Sequence, residues 1–270
     1  MTRRLAAMTA VASLSLVFGT SACAGSSGSS ASSGSGSSTS GSAAVTGELT
    51  VFAAASLKKT FTSIGAAFAK AHPGARVMFS FAGSSDLVAQ LQQGATADVF
   101  ASADTANMAK AVRDSLTAAP PVAFATNTLE IAVPPDNPAK VTALADLAKP
   151  GVKVVLCAPV VPCGSAAAKV EAAAGIRIRP VSEEQSVTDV LGKVSSGEAD
   201  AGLVYVTDVK AAGSTVHGVP FADSSRVVNT YPIAPLKSSR NAALAQAFVD
   251  AVTGELGQRV LATAGFGKAP

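Results

Sequence analysis

From Glu48 onward the apolar positions switch repeatedly between two periods. Leu49-Thr50-Val51-Phe52-Ala53 is short and nearly continuous, the pattern of a buried strand. Leu57, Phe61, Ile64 and Phe68 then recur at spacings of four, three and four, one face of a helix. Ser56 stands ahead of that helix as an expected N-cap, and His72-Pro73-Gly74 ends it. Arg76 to Phe81 alternates, with Val77, Phe79 and Phe81 on one side of a strand. Gly83-Ser84-Ser85-Asp86 turns into a helix carrying Leu87, Val88 and Leu91. Asp98 to Ala101 is a strand, and Ala103-Asp104 leads to a third helix. The second half repeats the style, with strands expected at Thr128 to Val133, Val152 to Cys157, Ala201 to Val206 and Arg226 to Ile233. A loop from Ala158 to Gly164 opens a helix near Ser165, and Ser186 caps another with Val187, Val190, Leu191 and Val194 on its apolar face. A last helix shows Leu244, Phe248 and Val249 on one side. Strand alternating with helix predicts an α/β fold with mostly parallel sheets and helices on both faces.

The first 44 residues follow a different logic. Arg3 and Arg4 precede an apolar stretch from Leu5 to Gly19, short for a spanning helix but suited to a signal peptide. Thr20-Ser21-Ala22-Cys23 is similar to a lipoprotein cleavage box, with Thr20 where Leu is usual. Residues 1–23 are therefore expected to be a signal peptide whose Cys23 becomes the lipid-bearing first residue; ordinary cleavage after Ala24 is the alternative. Residues 24–44 are Ser/Gly-rich, with almost nothing to bury. Such a tract makes a tether with a reach of roughly 25 Å, enough to hold a domain off a membrane. No later apolar run is long enough to span a bilayer.

Composition narrows the function. Hydrophobic residues make up 48% and charged ones 14%, so the chain can build a core and is not wholly disordered. The net charge of +3 falls to +1 when Arg3 and Arg4 leave with the leader, which removes any electrostatic footprint for nucleic acid. Three cysteines are too few for a disulfide framework. The two histidines, His72 in a helix-stop turn and His217 beside Gly218, read as surface residues. There is no Gly-x-Ser-x-Gly elbow and no zinc spacing, and Gly83-Ser84-Ser85 lacks the Lys of a phosphate loop. Glu183-Glu184 reads as a solvated pair rather than as acid and base. No catalytic residue, cofactor or direct metal ligand is expected.

One feature exceeds the generic α/β pattern. Four crossovers place small residues and Ser where a strand gives way to a helix: Ala53-Ala54-Ala55-Ser56, Ala82-Gly83-Ser84-Ser85, Pro162-Cys163-Gly164-Ser165 and Gln185-Ser186-Val187. Strand C-termini form the ligand crevice of open α/β sheets. Helix N-termini there offer unpaired N–H groups and partial positive charge. Converging on one point, they would hold an anion without Lys or Arg. Neutral donors alone suit an anion that has no proton of its own to donate.

These segments carry a family resemblance. Val51-Phe52-Ala53-Ala54-Ala55-Ser56-Leu57 resembles the first-strand motif of the molybdate-binding proteins of ABC importers. Phe81-Ala82-Gly83-Ser84-Ser85-Asp86-Leu87 is similar to their second ligand turn, and Gly94 to Asp104 to the segment after it. Val161-Pro162-Cys163-Gly164 and Gly202 to Asp208 resemble two later motifs. The resemblance implies a two-lobed periplasmic-binding-protein fold of type II, with the anion held between the lobes. Lobe 1 would comprise residues 45–125 and 226–270, and lobe 2 residues 126–225, joined by two crossing strands. It implies that Ser56 and Ser84 donate through hydroxyls, Cys163 and Val187 through backbone N–H groups, and Tyr205 through its phenol. It also implies molybdate or tungstate as ligand, a permease with its ATPase as partners, a monomer, and a membrane link through the lipid anchor only, at the outer face of the cell membrane. A receptor for sulfate or another tetrahedral oxyanion is the near alternative, and an exported enzyme on the same fold the distant one. Cys163 departs from the small residue usual in the family. Cys157 lies six residues upstream on the strand feeding the same loop, and in an exported protein the two are expected to pair as a disulfide. Their spacing does not match a Cys-x-x-Cys redox pair.

Overall fold

Two five-stranded sheets, each over its own apolar core, organise the residues that the computed structural model describes, 46–270. The signal peptide, Cys23 and the Ser/Gly tether lie outside the described residues. The first part of the chain runs β1 (Gly47–Ala54), α1 (Lys58–Ala71), β2 (Ala75–Ala82), α2 (Ser84–Gln92), β3 (Val99–Ala101), α3 (Thr105–Arg113) and β4 (Val122–Asn127). Then follow β5 (Leu129–Val133), β6 (Val154–Cys157), α4 (Pro162–Ala174), β7 (Ser182–Glu184), α5 (Val187–Ser195), β8 (Ala201–Tyr205), α6 (Val206–Ala212) and β9 (His217–Val219). The chain returns through β10 (Asn229–Pro235) and ends in α7 (Ala242–Thr253) and α8 (Glu255–Ala264).

The strand orders are β2-β1-β3-β10-β4 and β7-β6-β8-β5-β9. Both sheets are mixed rather than mostly parallel. β1 runs parallel to β2 and β3, but β10 runs against β3 and β4. β6 runs parallel to β7 and β8, but β5 runs against β8 and β9. The cause is the passage between sheets. Only Thr128 separates β4 from β5, and β10 brings the chain back beside β4. A strand that carries the chain out and one that carries it back must be antiparallel.

The first core is aromatic. Leu57, Phe61, Ile64 and Phe68 form the buried face of α1, as their spacing requires. Phe61 meets Phe248 of α7 edge-on at 6.0 Å, and Phe124 of β4 meets Tyr231 of β10 at 6.2 Å. Such ring pairs add about 0.5–1.5 kcal/mol beyond burial alone. A smaller cluster under α2 and α3 holds Leu87, Phe100 and Met108. The second core is built from Val, Ala and Leu, with Val154, Val190 and Val194 fully buried.

Several element boundaries differ from the sequence reading. Ser56 caps no helix: it lies inside a single 3-10 turn, Ala55–Leu57, and its hydroxyl is bonded to Tyr231 instead. The helix expected near Ser165 begins at Pro162, whose fixed φ and missing N–H suit the first helical position. That places Cys163 inside the first turn. Ser186 does cap α5, accepting from the Asp189 N–H at 3.3 Å. Among the described residues no helix is long and apolar enough to cross a membrane.

Candidate functional site

The strand ends of the two sheets face one another. After β1 come Ala55 and Ser56, after β2 Gly83 and Ser84, and after β3 Ala103. From the second sheet, Val161 to Cys163 follow β6, Val187 opens α5, and Tyr205 ends β8. Residues from all these positions line one small cavity of about 10 Å³, roughly the space that one water needs. Ser56, Ser84, Cys163, Val187 and Tyr205 are all brought to it, and Ala103 joins them. No charged side chain lines it.

Local chemistry explains how the small residues reach this point. Ser84 and Val187 are the first residues of α2 and α5, and Cys163 the second of α4. Their amides belong to first turns, where no preceding turn supplies a carbonyl. Three helix N-termini therefore aim partial positive charge into one space. Close approach demands glycine twice. A methyl on Gly164 would overlap the Ala158 carbonyl, so α4 can start directly against the end of β6 only without it. A methyl on Gly83 would overlap the Gln185 carbonyl of the opposing sheet.

A disulfide joins Cys157, the last residue of β6, to Cys163, with Cα atoms 5.6 Å apart. It closes the loop 158–162 whose far end presents the Cys163 amide.

The hydroxyls are held from behind. Ser84 Oγ accepts from the Ala103 N–H at 3.0 Å, which leaves the serine proton free. The Tyr205 hydroxyl accepts from Asn229 Nδ2 at 2.9 Å. Ser56 Oγ lies 3.1 Å from the Tyr231 hydroxyl, which Asn127 Nδ2 approaches at 3.5 Å. Asn127 also donates to Thr207 Oγ1 at 2.7 Å. Burial pushes the Tyr205 hydroxyl well above the usual phenol range, helped by Tyr231 and by the carboxylates of Asp104 and Asp208. Burial does the same to Tyr231. Both phenols therefore stay protonated. Asp208, which accepts from the Tyr205 N–H at 3.0 Å, is pushed by burial to about 7.

A larger groove of about 440 Å³ shares Ser56 but is bordered by Lys59, Lys210 and Arg259. The cations thus stand on the outer side of Ser56, not in the cavity. Among the described residues no group of three or more His, Cys, Asp or Glu side chains could hold a metal ion. Glu184, expected to be solvated, instead pairs with Lys193 at 2.5 Å.

The sequence reading missed Ala103, Asn127, Thr207, Asn229 and Tyr231. Ala103 and Thr207 lie within the motif segments Gly94 to Asp104 and Gly202 to Asp208 but were given no role, whereas Asn127, Asn229 and Tyr231 stand on β4 and β10 with no motif of their own, and only strand register brings these three behind the cavity.

Residues 49–267 match the bacterial extracellular solute-binding proteins. The molybdate-binding protein ModA of Mycobacterium tuberculosis is 53% identical over 220 residues, 82% of this chain and 84% of the relative. Among solved structures, the periplasmic molybdate-binding protein of Azotobacter vinelandii superposes with a TM-score of 0.70 at 23% identity, over 81% of this chain and 98% of that one. The sulfate-binding protein SubI of Mycobacterium tuberculosis also gives 0.70, at 18% identity, over 81% of this chain and 86% of that one. The two structural likenesses establish the fold and do not choose between anions.

Proposed function

We propose that this chain, which belongs to the bacterial extracellular solute-binding protein family, captures molybdate or tungstate between its two sheets and delivers it to an ABC transporter. The supporting observation is the cavity itself: neutral donors from both sheets converge on a space with no charged side chain in its lining. The 53% identity to a molybdate-binding protein supports molybdate over sulfate. The fold alone does not, since the sulfate-binding neighbour superposes equally well.

In this reading Ser56, Ser84 and Tyr205 donate through hydroxyls, and Cys163 and Val187 through amides. Three helix dipoles balance the dianion without a buried cation. The protein does no chemistry; it binds. Residues 45–125 and 226–270 form lobe 1 and residues 126–225 lobe 2. The anion bridges them and stabilises the closed form by its higher affinity for that form. The closed monomer then docks on a permease driven by an ATPase. Lipid on Cys23 and the tether of residues 24–44 keep the receptor at the outer face of the membrane.

The location is tested by growing crystals with molybdate and mapping anomalous scattering at the molybdenum edge. The reading expects a single strong peak within hydrogen-bonding distance of oxygens contacted by Ser56, Ser84 and Tyr205. A peak only in the Lys59–Lys210–Arg259 groove would move the site.

A further inference from the structure

Behind the cavity two asparagines face each other across the antiparallel strands that connect the sheets. Asn127 is the last residue of β4, Asn229 the first of β10, and the two are direct register partners. They are only 5% and 9% exposed, and neither lines the cavity.

A backbone group orients each amide. Asn229 donates to the Ala103 carbonyl at 3.0 Å. A carbonyl can only accept, so the NH₂ end is fixed, and its second hydrogen serves the Tyr205 hydroxyl at 2.9 Å. Asn127 Oδ1 accepts from the Thr128 N–H at 3.0 Å. Its NH₂ end is thereby turned toward Thr207 and the Tyr231 hydroxyl.

The consequence is a choice of proton direction. A phenol has one proton. Tyr205 accepts from Asn229, so its own proton turns either to an oxygen in the cavity or to the neighbouring Tyr231 hydroxyl, its competing acceptor, and an anion in the cavity draws it there. Tyr231 accepts from Asn127, so its proton goes to Ser56 Oγ at 3.1 Å. Ser56, now accepting, turns its proton to the cavity as well. Ser84 does so without help, because it accepts from the Ala103 N–H.

We propose that Asn127 and Asn229 are positioning residues that set the proton direction of the cavity hydroxyls, Asn229 through Tyr205 and Asn127 through Tyr231 and Ser56, so that the cavity offers donors only and rejects an oxyanion carrying a proton. The inference rests on the anion site proposed above. A protonated oxyanion entering such a cavity would find no acceptor for its O–H, and a buried unmatched donor is costly. Specificity then comes partly from an unfavourable contact with the wrong ligand.

The test is calorimetric titration of the whole secreted domain with molybdate, and with phosphate competing against it at pH 7, across two double-mutant cycles. Asn229→Asp removes both donors of the amide, so Tyr205 turns its proton to the new carboxylate. Molybdate affinity should fall about tenfold or more, the scale of one lost hydrogen bond to a charged group. The phosphate-to-molybdate affinity ratio should rise by a similar factor. In a Tyr205→Phe background the same substitution should change molybdate affinity markedly less, since the hydroxyl it acts through is gone. Tyr231→Phe, which deletes one oxygen and leaves the packing, supplies the second arm: a loss with Ser56 present and little with Ser56→Ala. It keeps the proposal testable should the Asn229 variant fail to fold. Effects that stay the same with and without the partner hydroxyl, or an unmoved phosphate ratio in folded variants, would overturn the proposal while leaving the site reading intact. Absence of molybdate binding in the unaltered protein would instead overturn the site reading, and the positioning role with it.

Discussion

Gly83 follows β2 and Gln185 follows β7, strands of opposite sheets, and the Gln185 carbonyl occupies the space that a side chain on Gly83 would need. Gly83 has φ −58° and ψ 141°, values any residue adopts, so its backbone does not require glycine. What requires it is the approach of one sheet's α2 to the loop before α5 of the other.

Gly83→Ala therefore separates closure from folding. In the open, ligand-free form, where Gln185 has withdrawn from Gly83, the variant should unfold within about 1 kcal/mol of the original, because the Gly83 backbone angles suit alanine. Anion affinity should fall at least tenfold, because the sheets can no longer close to contact. Thermal unfolding with and without molybdate gives both quantities. An unchanged ligand-induced stabilisation would mean that closure at Gly83 is irrelevant to binding.

The two serines of the first sheet should behave differently. Ser84 Oγ is the acceptor for the buried Ala103 N–H. Ser84→Ala should cost about 1–3 kcal/mol of stability in the ligand-free protein and weaken anion binding too. Ser56 is only partly buried and holds no backbone N–H. Ser56→Ala should leave stability nearly unchanged and weaken anion binding by about 1–3 kcal/mol. Equal stability losses for both variants would contradict the assigned hydrogen bonds.

The Cys157–Cys163 bridge closes a short loop, which by the chain-entropy account contributes about 2 kcal/mol. Replacing both cysteines with serine should lower the unfolding midpoint by about 4–8 °C for a chain of this size. Anion affinity should fall as well, because the Cys163 amide sits on the loop that the bridge holds. Peptide mapping without reduction should recover the two cysteines as one linked pair. Two free thiols would remove the basis for the expectation.

Asp208 sets a pH dependence with a definite sign. Burial raises its folded-state value to about 7, above that of an unfolded aspartate. Between about pH 4 and 7 the folded state keeps a proton that the unfolded state has lost. The contribution is therefore fully present in acid and is lost as pH rises through the folded value. Stability should drop by about 3–4 kcal/mol across that window from this group and level off above it. Asp208→Asn keeps an acceptor for the Tyr205 N–H and should flatten the profile. Denaturant unfolding at a series of pH values checks it; a slope unchanged in the variant would assign the titration elsewhere.

How much of this was legible beforehand varied with the signal. The face of α1 was readable because Leu57, Phe61, Ile64 and Phe68 keep strict helical spacing over one long element. β7 was not, because Ser182, Glu183 and Glu184 are polar and the strand is three residues long. α6 follows β8 with no intervening turn residue, so the period changes without punctuation. At the site, Ser56, Ser84, Cys163, Val187 and Tyr205 lie in local motifs and could be found by motif. Asn127 and Asn229 are 102 positions apart in the chain, and only the β4–β10 register pairs them. Ser56 shows the limit of local rules, since a serine before a helix usually caps it, and here a distant tyrosine takes the hydroxyl.

The most direct test of the account is titration calorimetry of the purified secreted domain with molybdate, tungstate, sulfate and phosphate at neutral pH. The account predicts one site per chain, tight binding of molybdate and tungstate, weaker binding of sulfate, and none measurable for phosphate. Preference for phosphate, or no binding of any of the four, would contradict it.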